Sequence, residues 1–514
     1  MQTIKRYNTY FIIICLAVAG LTAGCRKSFI TDVNSPSRIP VNEYYKTQAD
    51  FNAALTGIYG TLRSIYDKFW IMSEVTSDNV MVPLGNAANT KNFDWFTYNS
   101  TESQVQSTYL GYYTTIAHCN NFLLRIGSFN MDTVLKSRWI GEAKFIRAMM
   151  YFDLVRFYGN IPMPLVPITT DSMAYTFPQV GATAVYTQII SDLQAAETLV
   201  PANYAATGAA ASGAVYTTND IGRVTSGAVK ALLGKVYLTT GDYTKATAKL
   251  EELIPGAPGA TATTPLFGYS LLTKYSDVFS QANKNNAEII FNIQYTSGPF
   301  SEGSNFTYYF YPNVKPSLLS YIQPQALGLL TPDLFKAFEP NDSRTATSCS
   351  NQGATAGTTI GNYYSLKYQD NPLATYQGNC NWIVLRYADV LLMEAEALAN
   401  NDDYTNALVY LNRVRTRARN GQAATVVPAR VFSTKAQLLA DILKERRVEL
   451  SMEGQRWFDL LRSGATNFVN TLQAELKADG FSVNAANVTA TKMLFPIPFR
   501  ELNLNAAYVP NPGY

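Results

Sequence analysis

The chain has 514 residues, of which 47% are hydrophobic and 15% are charged, so it has enough apolar material for a large core and is not mainly disordered. Its 41 Lys and Arg against 38 Asp and Glu give a formal charge of +3, too small to neutralise nucleic-acid phosphates, and we expect no nucleic-acid partner. A single His beside 34 Tyr and 26 Phe favours binding over catalysis.

The N-terminus carries a predicted export signal and a lipid anchor. Lys5 and Arg6 precede an apolar stretch over 11–23, whose thirteen residues are too few to span a bilayer. The sequence Leu-Thr-Ala-Gly-Cys that ends at Cys25 resembles the lipobox of bacterial lipoproteins, in which the peptidase cuts before the cysteine. We predict a signal peptide over 1–24, acylation of Cys25, and a tether over 25–44 that leaves the mature chain anchored to a membrane without crossing it.

Three cysteines remain after this processing, and none has the spacing of a metal site. Cys119 lies among apolar residues, as a buried thiol does. Cys349 and Cys380 lie in loop-like sequence, where a disulfide between them is one option. We predict no cofactor and no metal site, although the Asp- and Asn-rich loops leave a bound calcium undecided.

Amphipathic helices are predicted through much of the chain. Apolar residues recur at steps of three and four in the segments 45–66, 105–127, 141–158, 183–200, 226–240, 243–254, 383–399, 404–418 and 436–462. Two pairs, within 231–258 and 388–414, have tetratricopeptide-like spacing, with Ala246 or Ala407 where the two helices approach each other. Two pairs cannot bury their apolar faces alone, so we expect them to stack against the other helices.

Three regions differ in character from the helices, at 67–104, 201–222 and 259–382. The longest is rich in Gly, Pro, Asn, Ser, Thr and Tyr, and its segment 288–295 alternates as a strand does. We predict loop-rich insertions that carry the ligand-binding surface, because long ordered loops on a rigid scaffold are the usual location of binding residues.

Aromatic clusters in these regions are the candidate binding residues. Seven aromatic residues lie in 295–311, among Ser, Gly and Asn. Flat rings contact the C–H face of a sugar while Asn and Asp bind its hydroxyls, so this mixture favours carbohydrate. The alternative is that half or more of these rings pack the scaffold. The predicted ligand-binding residues, with Trp95 placed first, are Trp70, Asp78, Asn79, Trp95, Phe96, Tyr98, Tyr295, Tyr308, Tyr309 and Tyr311.

Catalytic signals are weak, and we predict a protein that is not an enzyme. His118 lies in a helical segment with apolar neighbours, where a structural histidine is favoured over a general base. Glycoside hydrolysis needs two carboxylates across a cleft, and nothing marks a pair among Asp78, Asp94 and Glu102. A row of glutamates at 445, 449 and 453 is better explained by helical pairing among Arg446, Arg447, Glu449, Glu453, Arg456 and Asp459 than by catalysis.

Several segments together resemble the SusD/RagB family of outer-membrane nutrient-binding lipoproteins. The most specific is KERRVELSMEGQRWFDLLRSG at 444–464, followed by LFPIPFRELNLN at 494–505 and the ending NPGY. Segments 141–164, 222–243 and 382–398 also resemble the family, in the family's order. These are scaffold motifs, so no individual binding residue carries over from them.

The resemblance implies a mainly α, SusD-like fold over 45–514, with about four tetratricopeptide-like helix pairs in a right-handed scaffold and a loop-rich insertion with short strands. It implies a partner, a SusC-like TonB-dependent transporter, over which the chain would sit as a lid at the outer-membrane surface. The leading hypothesis is a glycan-binding lipoprotein that delivers an oligosaccharide or polysaccharide to that transporter. A peptide-binding member of the same family is the alternative, and an interaction scaffold without a small ligand and a hydrolase are further hypotheses.

Overall fold

The computed structural model describes residues 44–83, 88–202, 220–256, 268–298, 302–312, 324–351 and 363–514. The chain divides into two compact units, 1–53 and 54–514. Residues 44–53, the described part of the first unit, contain the start of the first helix. The predicted signal peptide and Cys25 lie outside the described residues.

Helices make up most of the described chain, as predicted. Segments 105–127, 183–200, 226–240 and 404–418 agree with observed helices to within about two residues at each end, whereas the helix predicted at 141–158 begins earlier, at Thr133. The helices are α1 (Gln48–Tyr66), α2 (Ala88–Asp94), α3 (Ser103–Ser128), α4 (Thr133–Tyr158), α5 (Asp171–Ala174), α6 (Ala182–Leu199), α7 (Ser226–Thr239), α8 (Tyr243–Glu251), α9 (Phe306–Phe310), α10 (Pro332–Ala337), α11 (Thr345–Ser348), α12 (Tyr387–Asn400), α13 (Tyr404–Ala418), α14 (Lys435–Glu449), α15 (Arg456–Arg462), α16 (Ala465–Ala478), α17 (Ser482–Ala485) and α18 (Phe499–Leu504).

The long helices form a continuous packed layer. Helix α3 contacts α4, α4 contacts α6, α6 contacts α7, α7 contacts α8, α8 contacts α12, and α12 contacts both α13 and α14. The two predicted tetratricopeptide-like pairs are α7 with α8 and α12 with α13. In each pair an aspartate caps the second helix, because the Asp242 side chain accepts a hydrogen bond from Lys245 N and that of Asp403 accepts one from Asn406 N.

Close approach within the α7–α8 pair depends on a glycine. A Cβ atom at Gly234 would lie 2.5 Å from Cδ2 of Leu250, which is inside van der Waals contact. Ala246 and Ala407, the small residues predicted at the helix contacts, are both fully buried. The sequence pattern therefore identified the helix–helix contacts correctly.

Within the described residues, the strands form three antiparallel pairs. They are β1 (Val80–Met81) with β5 (Leu329–Leu330), β2 (Ile161–Pro162) with β3 (Gln179–Val180), and β4 (Ile289–Ile293) with β6 (Trp382–Arg386). The strand predicted in 288–295 is thus confirmed as β4. The helix predicted over 383–399 is wrong at its start, because the β-branched Ile383 and Val384 extend into β6 and pair with β4.

The helix predicted over 436–462 is two helices, α14 and α15. Met452 and Gly454 between them have φ values of 63° and 72°, which a continuous helix cannot contain. A Cβ atom at Gly454 would also lie 2.6 Å from Cε1 of Phe69, so the close packing here requires glycine. The break changes the direction of the chain between α14 and α15.

Cys119, Cys349 and Cys380 are buried free thiols, so the optional Cys349–Cys380 disulfide is not formed.

Among the ranges given above, no helix has both the length and the apolar character that a membrane crossing requires.

Candidate functional site

The glutamate row of α14 and the following turn forms buried ion pairs. Arg344 Nη1 donates to Glu445 Oε1 at 2.6 Å, and Arg386 donates to Glu449 Oε1 and to Glu453 Oε2, both at 2.6 Å. All five side chains are at most 2% exposed. The row is therefore occupied by cations from other parts of the chain and has a structural role.

The predicted pairing within 444–462 is confirmed only in part. Arg446 Nε donates to Asp459 Oδ2 at 2.9 Å, as predicted. The partners of Glu449 and Glu453 come instead from distant segments, because β6 and the 342–344 turn place Arg386 and Arg344 against α14. Burial raises the pKa of Glu449, but the adjacent guanidinium groups outweigh it and hold that pKa well below its ordinary value.

Asp78 and Asn79, two predicted ligand contacts, are at most 1% exposed and hold the scaffold together. Arg456 Nε donates to Asp78 Oδ1 at 2.7 Å. Burial raises the pKa of Asp78, but the charges of Arg447 and Arg456 outweigh this effect and lower the pKa to about 2. Asn79 accepts a hydrogen bond from Arg447 Nε at 2.9 Å and donates one to Glu74. Their polar atoms are engaged within the protein, which argues against contact with a ligand.

Trp95, Phe96 and Tyr98 pack against the C-terminal part of the chain. Tyr98 stacks on Phe495 at 5.0 Å between ring centroids, and Phe96 stacks on Trp457 at 6.5 Å. Phe96 and Tyr98 are at most 3% exposed, so they offer no open ring face. Trp95 is partly exposed and remains a predicted contact.

Most of the predicted rings in 295–311, together with Trp70, lie in the interior. Trp70 is fully buried and packs edge-on against Phe310 at 5.1 Å. Tyr295 and Tyr311 are each 3% exposed, and Tyr295 donates its hydroxyl to the carbonyl of Arg63 at 2.7 Å. The burial of Trp70, Tyr295 and Tyr311 does not fit the expectation that they contact a ligand. These three rings instead fit the alternative, in which half or more of the rings pack the scaffold.

Helix α9 separates the interior rings from the accessible ones. Phe306 and Phe310 are four residues apart, lie on one face of the helix and are fully buried. Tyr308 faces the other way and is partly exposed, while Tyr309 is 9% exposed. Tyr376, from the 363–381 segment, is 49% exposed. We call Tyr308, Tyr309 and Tyr376 the tyrosine face.

Two buried polar side chains support the tyrosine face. Asn305 N donates to Asp67 Oδ1 at 2.9 Å, and Asn305 Oδ1 accepts from Tyr376 N at 3.2 Å. Burial raises the pKa of Asp67 to about 6. Burial and the charge of Asp67 also raise the pKa of Tyr309 above its ordinary value. Asp67 and Asn305 are engaged within the protein and fix the backbone, so the groups that the face offers to a ligand are its tyrosine rings, which suit the C–H face of a sugar.

A backbone bridge holds the two segments of the tyrosine face together. Ser304 N donates to Gly378 O at 2.9 Å, and Gly378 N donates to Ser304 O at 3.0 Å. A Cβ atom at Gly303 would lie 2.3 Å from the carbonyl oxygen of Tyr376, so the segments touch through bare backbone. This bridge brings Tyr376 next to α9 although about 70 residues separate them in the chain.

Sequence reasoning missed Tyr376, Asp67 and Asn305. Tyr376 has no aromatic neighbours in sequence, and its contact with α9 depends on the long-range bridge. The partial exposure of Tyr308 could have been inferred from the Phe306–Phe310 spacing, since two rings four residues apart define the inner face of a helix.

The other residues considered for catalysis or metal binding are Asp94, Glu102 and His118. Asp94 is 3% exposed, accepts a hydrogen bond from Val82 N at 2.8 Å, and has a pKa raised to about 8 by burial and by the charge of Asp479. Glu102 accepts a hydrogen bond from Asn92 at 2.7 Å, and His118 is exposed on α3. Within the described ranges, no group of three His, Cys, Asp or Glu side chains is arranged to hold a metal ion.

Two family models match the chain. A model described as "SusD family" matches residues 337–514, and one described as "Starch-binding associating with outer membrane" matches residues 31–238. These matches cover the resembling motifs named above, apart from residues 239–243.

Known proteins similar to this chain include sequence relatives and solved structures. SusD-like protein P2 of Formosa agariphila is 25% identical, over 99% of this chain and 100% of that protein. A solved laminarin-binding SusD-like protein is 27% identical, with a TM-score of 0.73 over 91% of this chain and 100% of its own. Surface glycan-binding protein A from Bacteroides uniformis, 22% identical, shares the fold with a TM-score of 0.74 over 90% of this chain and 99% of its own. The predicted mainly α, SusD-like architecture is confirmed.

Proposed function

The chain belongs to the SusD family, and from this premise we propose that it is an outer-membrane lipoprotein that binds a glycan and passes it, chemically unchanged, to a TonB-dependent transporter. The observation that carries the glycan assignment is the tyrosine face, where the partly exposed Tyr308 and the exposed Tyr376 lie on two segments that the Ser304–Gly378 bridge joins. The full-length similarity to a laminarin-binding protein supports the same ligand class.

Binding at the tyrosine face would use two kinds of contact. Tyr308 and Tyr376 would stack on the C–H faces of sugar rings, and the hydroxyl of the partly exposed Tyr308 would bind sugar hydroxyls. Because Asp67 and Asn305 hold the backbone of both segments, little ordering would be needed when the ligand binds. Trp95 is a further proposed contact, at a separate position beside Phe481.

The anchor and the transporter complete the proposal. Acylation of Cys25 would hold the mature chain at the outer membrane, in keeping with the membrane association in the description of the matching family model. A SusC-like transporter below it would receive the ligand. A glycan that contacts both proteins would favour the closed arrangement by its higher affinity for that state.

The test is a binding screen with the protein beginning at Arg26. We expect its migration to be retarded in native gels that contain laminarin, starch or another polysaccharide of a panel, without release of reducing sugar. Retardation by none of the polysaccharides, combined with thermal protection by a protein digest, would replace the glycan with a peptide ligand. Release of reducing sugar that is abolished by changing one loop carboxylate would identify a hydrolase instead.

A further inference from the structure

A groove on another part of the chain shares no residue with the tyrosine face. Its three walls are α3, the 162–177 segment, and α18 with the residues that follow it. Its volume is about 440 Å³, which lies in the size range of small-molecule binding sites. The groove is therefore large enough to hold a short segment of an oligosaccharide.

Hydrogen bonds tie the walls of the groove to each other. Tyr113 donates its hydroxyl to the carbonyl of Pro162 at 2.6 Å, which joins α3 to the 162–177 segment. Tyr508 donates its hydroxyl to the carbonyl of Phe177 at 3.2 Å, which joins the C-terminal segment to the same wall. The groove is thus already formed in the chain alone, and a ligand would not have to order it.

Each wall of the groove presents an accessible aromatic ring. Tyr175 is 51% exposed, and Tyr113, Phe177 and Tyr508 are partly exposed. A fifth ring, that of Tyr109, is buried and packs against Tyr113 with 4.7 Å between the ring centroids. Accessible rings of this kind suit the C–H faces of sugars.

The α18 wall adds polar side chains beside these rings. Arg500 is exposed, and Glu501 and Asn505 are partly exposed. A guanidinium donates hydrogen bonds, a carboxylate accepts them and an amide does both, so the three groups together match hydroxyls, which also donate and accept. Burial raises the pKa of Glu501, and the charge of Arg500 opposes that rise. Because two opposite formal charges adjoin on this wall, it favours a neutral ligand over an acidic one.

The aliphatic side chains in the groove do not favour a purely apolar occupant. Leu110 and Leu504 are each 49% exposed, and Ile168 is 44% exposed. An apolar protein segment that covered them would also remove Arg500 and Glu501 from water without replacing their hydrogen bonds, which is costly. A sugar would cover the aliphatic groups with its C–H faces while its hydroxyls replace the displaced water. The mixture of rings, aliphatic groups and polar groups therefore fits a carbohydrate better than an apolar partner.

We propose that this groove is a second glycan-binding site, which binds a neutral oligosaccharide segment independently of the tyrosine face. The proposal rests on the proposed function, because the ligand is taken to be the same glycan. It adds a separate set of binding residues, in which Tyr175 supplies the most exposed ring.

The experiment measures the binding that remains when the tyrosine face is removed. The protein beginning at Arg26 and carrying Tyr308→Ala/Tyr376→Ala is run in native gels with increasing amounts of a polysaccharide that retards the wild type. We expect residual retardation in this background. Adding Tyr175→Ala should weaken the residual affinity about fivefold, because it removes one stacked ring. Adding Arg500→Met should weaken it about threefold, because it removes hydrogen-bond donors to sugar hydroxyls.

Two matched substitutions in the same groove separate ring stacking from general apolar contact. Tyr175→Phe keeps the ring and should bind as the background protein does. Leu110→Ala changes a side chain of nearly equal exposure, 49% against 51% for Tyr175, and should weaken binding less than Tyr175→Ala does. Unchanged melting temperatures verify that each variant is folded.

The possible failures have different results. Residual retardation that is absent, or that Tyr175→Ala leaves unchanged, would overturn the second site and leave the proposed function standing, since the wild type still binds the polysaccharide. Equal losses in Leu110→Ala and Tyr175→Ala, or a loss in Tyr175→Phe as large as that in Tyr175→Ala, would overturn sugar stacking in the groove. A wild type that no polysaccharide retards would overturn the proposed function and the second site together.

Discussion

Replacing Arg386 by methionine tests whether the buried ion pairs hold the scaffold together. Arg386 belongs to a connected buried cluster in which five cations balance five carboxylates. The cations are Arg344, Lys367, Arg386, Arg415 and Arg417, and the carboxylates are Glu288, Asp342, Glu445, Glu449 and Glu453. Methionine retains much of the side-chain volume but leaves one buried negative charge in excess.

The expected loss in the free energy of unfolding follows from that charge imbalance. Removing one partner of a buried ion pair costs about 3 to 5 kcal/mol, because the remaining charge stays out of water without full compensation. Arg386 contacts three carboxylates at 2.6 to 2.8 Å, so we expect a loss in that range. The assay is equilibrium unfolding in guanidinium chloride, followed by tryptophan fluorescence.

Two further variants separate charge balance from packing. Adding Glu453→Gln to Arg386→Met restores equal numbers of buried charges, so the double variant should be more stable than the sum of the single losses predicts, by about 1 kcal/mol or more. Lys245→Met, at an exposed ion pair with Asp242, should leave the unfolding midpoint unchanged. A loss below about 1 kcal/mol for Arg386→Met, or strictly additive losses in the double variant, would refute this reasoning.

Two other predictions concern pH and helix packing. Burial, aided by neighbouring carboxylates, raises the pKa of Asp94 to about 8 and of Glu394 to about 9. Both groups stabilise the fold in their protonated form, so this stability is fully present below about pH 4 and is lost as pH rises through 8 and 9. The melting temperature should therefore fall between pH 6 and 9.5, and Asp94→Asn should flatten that fall; an identical slope in the variant would contradict the assignment. Gly234→Ala should cost about 1 to 3 kcal/mol in denaturant unfolding, because its Cβ would meet Leu250 at 2.5 Å. Gly57→Ala, with open space around the new Cβ, should be neutral or stabilising by about 0.5 to 1 kcal/mol, and equal losses in the two variants would contradict the packing explanation.

The helical scaffold was largely predictable because its signals are local. Periodic apolar residues placed α13 at its observed bounds, and the repeated Asp-Tyr-Thr at 242–244 and 403–405 marks two capped helix starts. The errors occur where long-range pairing overrides local pattern. Residues Trp382–Arg386 extend because β4 lies beside them, and no periodicity within that segment reveals its partner.

The site was less predictable, because composition does not separate interior rings from exposed ones. The aromatic run 295–311 contains both, and Tyr295 and Tyr311 became core residues while Tyr308 stayed partly exposed. Asp78 has the composition of a binding residue, yet Arg456, 378 positions away, occupies its carboxylate. Only the folded arrangement decides whether a polar side chain is engaged internally or available to a ligand.

The central claim is tested most directly by isothermal titration calorimetry with the protein beginning at Arg26 and a polysaccharide that retards it in the gel screen. The affinity of the wild type is compared with that of a variant that lacks two rings of the tyrosine face. Tyr308→Ala/Tyr376→Ala should weaken binding about tenfold, since each stacked ring contributes about 0.5 to 1.5 kcal/mol. The control Phe432→Ala removes a ring of similar exposure, 44% against 49% for Tyr376, and should bind as wild type does. Binding of no glycan by the wild type, or equal affinity in all three proteins, would contradict the account.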